Sequence, residues 1–384
     1  MDERDDVSGD QTGQPGRAAV PRSPVAAELA DVEAWKARKT YPSVLFAGGP
    51  VFGVASERAH GGWELQRYFS ALAPQDARDG LGAYFREQSK EAAAAGDTEA
   101  QGDYLAAAER LDWEPLDEMT VRGARYRVVR AERFIRMGPD GPEPPRRTDL
   151  DAEPGPREPG GPRDLDPAAG LVVDRDDAAA LSEGILEAEL LAALRKNGGV
   201  PEAVREDARA AARSHPGGVL LPATFMTAEG EGGRWRPDSS GTAATPQAAR
   251  DGLAMQLRVM VPWQKDLSPE QREVYNRAAD RLDAEHADEL HVEGRHFRIV
   301  RVERLVRIGP DGPEGPRPSD QDPVPPVMVQ DRQLREEGPA AGEDDEQSGE
   351  DDERTRRLLQ LFDEERDRRE LLLRQEPADR AADG

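Results

Sequence analysis

Two segments of the chain are rich in Val, Ile, Tyr and Phe, the hydrophobic residues typical of β-strands, with arginines placed among them. In residues 118–137 the side chains of one parity are Tyr126, Val128, Arg130, Glu132, Phe134 and Arg136. In residues 292–308 the matching side chains are Phe297, Ile299, Arg301, Glu303, Leu305 and Arg307. Side chains of one parity share a face of a strand. An Arg–Glu pair is therefore predicted inside an otherwise apolar face of both strands.

Other segments have the composition or the apolar stripe of helices. Residues 27–39 are rich in good helix formers, and Pro74 stands where proline commonly opens a helix. The spacing of apolar positions predicts further helices in residues 98–111 and 177–196. Residues 355–375 form another predicted helix, with apolar clusters at its two ends and charges between them. That pattern favours docking, on a partner or on the chain's own domains, over a coiled coil.

The chain repeats itself at an offset of 171 residues. Residues 108–151 align without a gap on residues 279–322, and 25 of the 44 positions are identical. The match includes the identical sequences Gly138–Glu143 and Gly309–Glu314, for which strand termination in a tight turn is the simplest interpretation. A repeat of this length is far longer than a solenoid unit, so two domain-sized copies are the better interpretation.

The sequence therefore predicts an α+β fold of two tandem copies of one module, each with a small antiparallel sheet and flanking helices. The predicted divisions are a disordered tail at 1–26, the first copy at 27–151, a Pro/Gly-rich linker at 152–176, a connecting helix at 177–200, the second copy at 201–322, a Pro-rich and acidic linker at 323–354, and an amphipathic helix with its tail at 355–384.

Composition narrows the classes of partner. The net charge of −25 opposes general binding to nucleic acid or to an anionic membrane surface. The absence of cysteine excludes disulfides and thiolate metal sites. The N-terminal residues lack the pattern of a signal peptide, and no apolar run approaches the roughly 18–20 residues that span a bilayer. A cytoplasmic protein without a membrane partner is expected.

The arginine-rich strands admit three interpretations. Their guanidinium groups could grip an anionic phosphate or carboxylate, could line a pocket between the copies, or could belong to a structural ion-pair network. The tryptophans that the repeat aligns are core anchors or ligand platforms. The candidate ligand-binding residues are Arg130, Glu132, Arg133, Arg301, Glu303, Arg304, Trp63 and Trp235.

Catalytic and metal signatures are weak. The sequence contains no P-loop, no GxSxG elbow, no HExxH and no dinucleotide-binding glycine pattern, so no catalytic residue and no cofactor are predicted. His286, His291 and His296 are weak metal-ligand candidates near a predicted hairpin. The first copy has Pro115, Thr120 and Arg125 at these positions, so the copies would not share such a site.

Several segments together resemble a known family. They are His215–Pro222, Pro246–Asp251, Phe297–Arg304, Gly309–Glu314 and Pro316–Asp320. The chain resembles an uncharacterised actinobacterial, Streptomyces-type domain-of-unknown-function family with a duplicated module containing Gly-Pro-Asp-Gly-Pro-Glu. The resemblance covers roughly residues 27–325, and the bias toward Ala, Arg, Gly, Asp and Pro fits it. It implies no activity, cofactor or catalytic residue.

Three function classes follow. The first is a non-catalytic binding or interaction protein that recruits a protein partner through the helix at 355–375. The second is an enzyme or small-ligand receptor that uses the arginine-rich strands for an anionic molecule. The third is a nucleic-acid-associated regulator, which the local arginine clusters favour and the overall charge opposes.

Overall fold

The computed structural model describes residues 24–151, 166–175, 181–193, 201–237, 241–337 and 345–380. We call residues 24–151 the first half and residues 201–322 the second half. The first half contains α1 (Pro24–Thr40), β1 (Ser43–Phe46), β2 (Val51–Glu57), β3 (Trp63–Leu65), α2 (Pro74–Ala95), α3 (Thr98–Trp113), β4 (Glu118–Val121), β5 (Ala124–Gly138) and β6 (Gly141–Pro142). The predicted disordered tail falls mainly on residues 1–23, outside the described residues.

The rest of the chain contributes a second set of elements. They are β7 (Val172–Val173), α4 (Leu181–Ala193), α5 (Glu202–Ser214), β8 (Gly217–Glu231), β9 (Arg234–Pro237), α6 (Pro246–Met255), a π-helical segment (Gln256–Met260), α7 (Val261–Lys265), α8 (Pro269–Glu285), β10 (Glu289–Val292), β11 (Arg295–Gly309), β12 (Gly312–Pro313), α9 (Val327–Glu337) and α10 (Asp345–Arg380). The fold is mixed α+β.

The strands of the described residues form one antiparallel sheet, with the order β7-β3-β2-β5-β11-β8-β9 along its main path. The long strands β5 and β11 lie at its centre and pair with each other, with Arg133 opposite Arg304. The prediction of a small sheet in each copy is wrong in extent, because this pairing merges the strands of both halves. Val, Ile and Phe side chains on β5 and β11 are buried, as expected for strands covered on both faces.

The two halves differ at the strand that precedes the tryptophan. In the first half, Gly48, Gly49 and Pro50 separate β1 from β2, and Gly48 has a positive φ of 76°. In the second half, β8 runs without interruption through 15 residues. The register between β8 and β11 shifts between Val302 and Arg304 of β11, so the pairing of these two strands contains a β-bulge.

Helices cover the sheet in equivalent places. In the first half, α2 and α3 bury Leu81, Phe85 and Leu111 against Tyr126 of β5. In the second half, α6 and α8 bury Leu253 and other apolar residues against Phe297 and Ile299 of β11. The helix predicted to open at Pro74 corresponds to α2, and the helix predicted at residues 98–111 corresponds to α3.

The segment after each central strand crosses to the opposite half. We call residues 141–151 the first arm and residues 312–322 the second arm. The backbone N–H of Arg130 in β5 donates to the carbonyl of Glu314 at 2.9 Å, and that of Arg301 in β11 donates to the carbonyl of Glu143 at 3.0 Å. Each half is therefore completed by the arm of the other half.

Two predicted linkers contain ordered structure. Residues 152–165 lie outside the described residues, but Val172 and Val173 add β7 to the edge of the sheet beside β3. The second linker contains α9, which begins directly after Pro326. The carbonyl of Pro326 accepts hydrogen bonds from the backbone N–H groups of Val329 and Gln330. Proline is tolerated before a helix because the first N–H groups have no intrahelical partner.

The C-terminal helix α10 packs on the second half. The indole of Trp263 donates to the carbonyl of Arg354 at 3.1 Å, and the guanidinium of Arg368 lies 3.3 Å from Asp283. Leu361 and Glu365 are buried in this contact. Among the described residues, no helix combines the length and the hydrophobicity needed to cross a bilayer.

Candidate functional site

The Arg–Glu pairs predicted from strand parity lie side by side in the structure. Arg130 Nη1 is 2.5 Å from Glu132 Oε1 on β5, and both side chains are buried. On β11, Arg301 donates to Glu303 in the same way, and Glu303 is buried. The alternation of side chains along the strand produces both contacts, since each pair is separated by one residue.

The second arm completes a five-residue ion cluster on the first half. Arg130 Nε donates to both carboxylate oxygens of Asp320 at 3.0 and 2.9 Å. Arg317 donates to Glu132 at 3.1 Å and to both oxygens of Glu314 at 2.6 and 3.0 Å. Two arginines thus meet three carboxylates, so every guanidinium in the cluster has an internal anionic partner.

The first arm builds the same cluster on the second half. Arg301 Nε donates to both oxygens of Asp149 at 3.0 and 3.1 Å. Arg146 donates to Glu143 at 2.6 Å and lies 3.4 Å from Glu303. The two clusters are related by exchanging the halves.

Each arm ends on another buried arginine of the opposite half. Asp322, the last residue of the second arm, lies 2.5 Å from Arg78 at the start of α2. Asp151, the last residue of the first arm, lies 2.8 Å from Arg250 of α6. Charge pairing therefore fixes each arm along its full length.

The clusters stabilise the ionised forms of their members. Burial alone would lower the pKa of Arg130, but the charges of Glu132 and Asp320 raise it. Burial alone would raise the pKa of Glu132, but the charges of Arg130 and Arg317 hold it below its ordinary value. These predicted ligand-binding residues are occupied by internal partners, an arrangement that favours the ion-pair interpretation over a grip on an anion.

Arg133 and Arg304 meet at the centre of the sheet with unequal partners. Arg304 has 0% of its surface exposed and forms a bidentate pair with Asp166 at 2.7 and 2.9 Å. Arg133 donates through Nε to the carbonyl of Gly49 at 2.9 Å, and its Nη1 makes no hydrogen bond among the described residues. Burial and the charge of Arg304 lower the pKa of Arg133.

The tryptophans aligned by the repeat both face a crossing arm. Gly312 of the second arm packs against the indole of Trp63, and Gly141 of the first arm packs against Trp235. The guanidinium carbon of Arg127 lies 4.7 Å from the centre of the Trp63 ring, and an arginine of β11 covers Trp235 at 4.8 Å. Both rings therefore anchor the junction between the halves.

A cleft of about 470 Å³ opens beside the second arm. Glu118 and Asp311 line it, and each lies 2.6 Å from the guanidinium of Arg127. Burial lowers the pKa of His215, which also lines the cleft. The excess of carboxylates over cations in this cleft disfavours an anionic ligand.

The structure separates one of the three histidine candidates from the others. His286 is the left-handed residue that follows α8. His291 and His296 are cross-strand partners on β10 and β11, with ring centroids 3.9 Å apart. Glu289 joins them, and the donor atoms of the three side chains lie within 4.8 Å of one another.

Sequence reasoning missed Glu289 and the carboxylates of the arms. Glu289 stands two residues before His291, so the two-residue period of a strand places both side chains on the same face. In the arms, the repeat aligns Glu143 with Glu314 and also aligns the Arg and Asp residues that follow them. These matched charges could have indicated that both arms form ion pairs. Because the sequences Gly138–Glu143 and Gly309–Glu314 were interpreted only as turns that end a strand, no ion pair was predicted for these charges.

A comparison with known families identifies one match. Residues 23–323 match the family described as "Family of unknown function (DUF5954)". No curated protein and no solved structure matches the chain. The match does not bear on the predicted actinobacterial origin, which stays a prediction.

Proposed function

The chain belongs to DUF5954, a family of unknown function, and we propose that it is a non-catalytic, cytoplasmic interaction protein whose helix α10 binds a protein partner. The second half, on which α10 packs, forms the support for that helix. The proposal rests on the surface of α10, where an apolar pair points away from the body of the protein.

The apolar pair consists of Leu359 and Phe362, which are 58% and 40% exposed. They are three residues apart and therefore neighbours on the helix surface. Leu361 and Glu365 anchor α10 to the second half, so the exposed pair is held in a fixed direction. A short apolar stripe on a helix is the element that grooves of partner proteins recognise.

The charges around this pair define the chemistry of the partner. The exposed carboxylates beside Phe362 have arginine partners, since Asp363 lies 2.8 Å from the exposed Arg366 and Glu364 lies 3.4 Å from Arg272. A partner with an apolar groove and a rim that carries both acidic and basic side chains would match this surface in both hydrophobicity and charge. We infer that the surface of α10 binds a protein of this kind.

The two alternative functions have less support. The anionic-ligand interpretation depends on Arg130 and Arg301, whose guanidinium groups are paired with Asp320 and Asp149. The nucleic-acid interpretation depends on the same arginine-rich strands, and counterion release requires arginines that reach phosphates. A thermal-shift panel of phosphates and carboxylates remains the direct test of the first alternative.

A tandem duplication is part of this proposal. It is supported by the aligned residues 108–151 and 279–322, by the antiparallel pairing of the equivalent residues Arg133 and Arg304, and by the reciprocal arms. Pairing of equivalent positions is what an axis of approximate two-fold symmetry produces.

The partner proposal is tested by a variant that places charges on the apolar pair. Leu359→Glu with Phe362→Glu changes only exposed positions, so the fold should survive. Leu371→Glu is the matched control, since Leu371 is exposed on the same helix but lies on a different side of it. The three full-length proteins are cross-linked in their host cells, and the proteins that co-purify are quantified by mass spectrometry.

We expect at least one protein to be retained by the wild type and the control and to fall about tenfold or more with the double variant, a change of about 1.4 kcal/mol in binding. Identical sets of co-purifying proteins for all three chains would overturn the proposal. Equal melting temperatures would show that the fold is unchanged.

A further inference from the structure

The hairpin of β10 and β11 gathers a group of side chains that the proposed function does not use. His291 and His296 face each other in register across the hairpin, and Glu289 precedes His291 by two residues on the same face. The donor atoms of these three side chains lie within 4.8 Å of one another. Glu289 and His291 are exposed, so the group opens to solvent.

A neighbouring arginine holds the carboxylate of this group. Arg298 lies 2.5 Å from Oε1 of Glu289, while Oε2 of Glu289 lies 3.4 Å from Nε2 of His296. Arg298 is fixed in turn by a hydrogen bond of 2.9 Å to the carbonyl of Pro142 and by stacking on Trp235. An outer contact of this kind orients a metal-binding carboxylate and leaves its second oxygen available.

The imidazole of His296 is held in place by its neighbours, and its Nε2 faces the carboxylate of Glu289 without a well-formed hydrogen bond. Its ring lies 4.7 Å from that of Trp235, and its Nε2 makes no hydrogen bond among the described residues. Burial and the charge of His291 lower the pKa of His296, which favours the neutral ring that can donate a lone pair.

We propose that Glu289, His291 and His296 bind one first-row divalent transition ion, with Zn²⁺ as the representative, and leave further coordination positions to water. Two imidazoles and one carboxylate are the donor set of open zinc and related sites, with metal–ligand distances of about 2.0–2.2 Å. Modest rotations of the exposed side chains would bring the three donors to such distances. Mg²⁺ and Ca²⁺ are poor candidates because they prefer oxygen ligands.

The first half provides an internal contrast. At the equivalent positions of its hairpin it has Glu118, Thr120 and Arg125, and Arg125 lies 2.8 Å from Glu118. Arg125 and Arg127 together hold both carboxylate oxygens of Glu118, at 2.8 and 2.6 Å, whereas Arg298 holds only one oxygen of Glu289. Neither of the other two equivalent positions carries an imidazole. Binding of one ion, rather than two, per chain is therefore expected.

The test uses the full-length protein without a polyhistidine tag. It is titrated with Co²⁺, whose visible absorption reports nitrogen ligands, and with Zn²⁺ in a calorimeter and as a competitor of Co²⁺. His291→Ala removes an exposed ligand, so the variant should fold, and His296→Ala removes the second. The matched control is His286→Asn, which removes a histidine outside the group and keeps a residue tolerant of its left-handed backbone.

We expect one Co²⁺ per chain, displaced by Zn²⁺, with saturable binding lost in the His291 and His296 variants and retained in the His286 variant. Circular dichroism verifies the fold of each variant. Absence of saturable binding by the wild type, full binding by His291→Ala, or equal loss in the control would overturn the proposal. Because the readout is metal binding, the result is independent of any partner of α10.

Discussion

Arg304 and Asp166 form a deeply buried ion pair at the junction of the halves. Arg304 has no exposed surface, and besides Asp166 it donates to the backbone carbonyls of Phe69 and Pro222. A guanidinium removed from water is stable only when its donors are satisfied and its charge is paired. Asp166 lies in the segment between the halves, outside both repeated units, and yet it supplies the anion that neutralises Arg304.

Replacement of this carboxylate should be strongly destabilising. Asp166→Ala leaves Arg304 buried without an anion, and the expected loss in the free energy of unfolding is about 3–5 kcal/mol. The control is Arg110→Ala, which removes an exposed pair with Glu114. That change should alter the free energy of unfolding far less, because solvent screens an exposed ion pair. Urea denaturation measures both, and equal losses would contradict the structural role of Asp166.

The carboxylates of the clusters predict sensitivity to acid. The folded pKa of Glu132 lies below its unfolded value despite burial, because Arg130 and Arg317 stabilise the anion. Its contribution is therefore complete above the unfolded pKa of roughly 4.3 and is lost as the pH falls through the folded pKa. The free energy of unfolding, measured by urea titration at successive pH values, should fall below roughly pH 4.3. Glu132→Gln should weaken this dependence, and an unchanged pH profile would argue against it.

Elements were predictable where the pattern is local. The Val, Tyr, Phe and Ile content of residues 118–137 predicts β5, and strand parity places Arg130 beside Glu132 without any knowledge of the rest of the fold. The arms were not predictable in this way. Their partners lie in the other half, as with Arg130 and Asp320, which are 190 residues apart. The Gly and Pro content of the arms indicates a turn but carries no information about where the chain goes next.

The approach of an arm to its tryptophan requires glycine. Gly312 has a φ of +106°, and a Cβ there would collide with Nε1 of Trp63. Gly312→Ala should therefore lower the free energy of unfolding by more than about 1 kcal/mol. Gly80→Ala, in open space within α2, should instead raise it by about 0.5–1 kcal/mol. Chemical denaturation compares the two, and a neutral Gly312→Ala would show that the close approach is dispensable.

At the scale of the whole molecule, the halves share one sheet and exchange their arms. The sequence repeat predicts two similar units but leaves their relation open, because either a shared sheet or two separate sheets would satisfy the same alternation. The pairing of β5 with β11 resolves this, and the helices α9 and α10 then pack on opposite halves, beside Trp113 and Trp263 respectively.

The exchange of arms also has a consequence for synthesis. During translation, the first half leaves the ribosome well before residues 312–322 are made. Until then Arg130 and Glu132 have only each other, with neither Asp320 nor Arg317 beside them, and a nascent first half that closed its sheet would bury an incompletely satisfied ion pair. The first half can therefore reach its native packing only after residues 312–322 have been synthesised. A product of premature termination before residue 312 would expose its unfinished sheet to the proteases and chaperones of quality control.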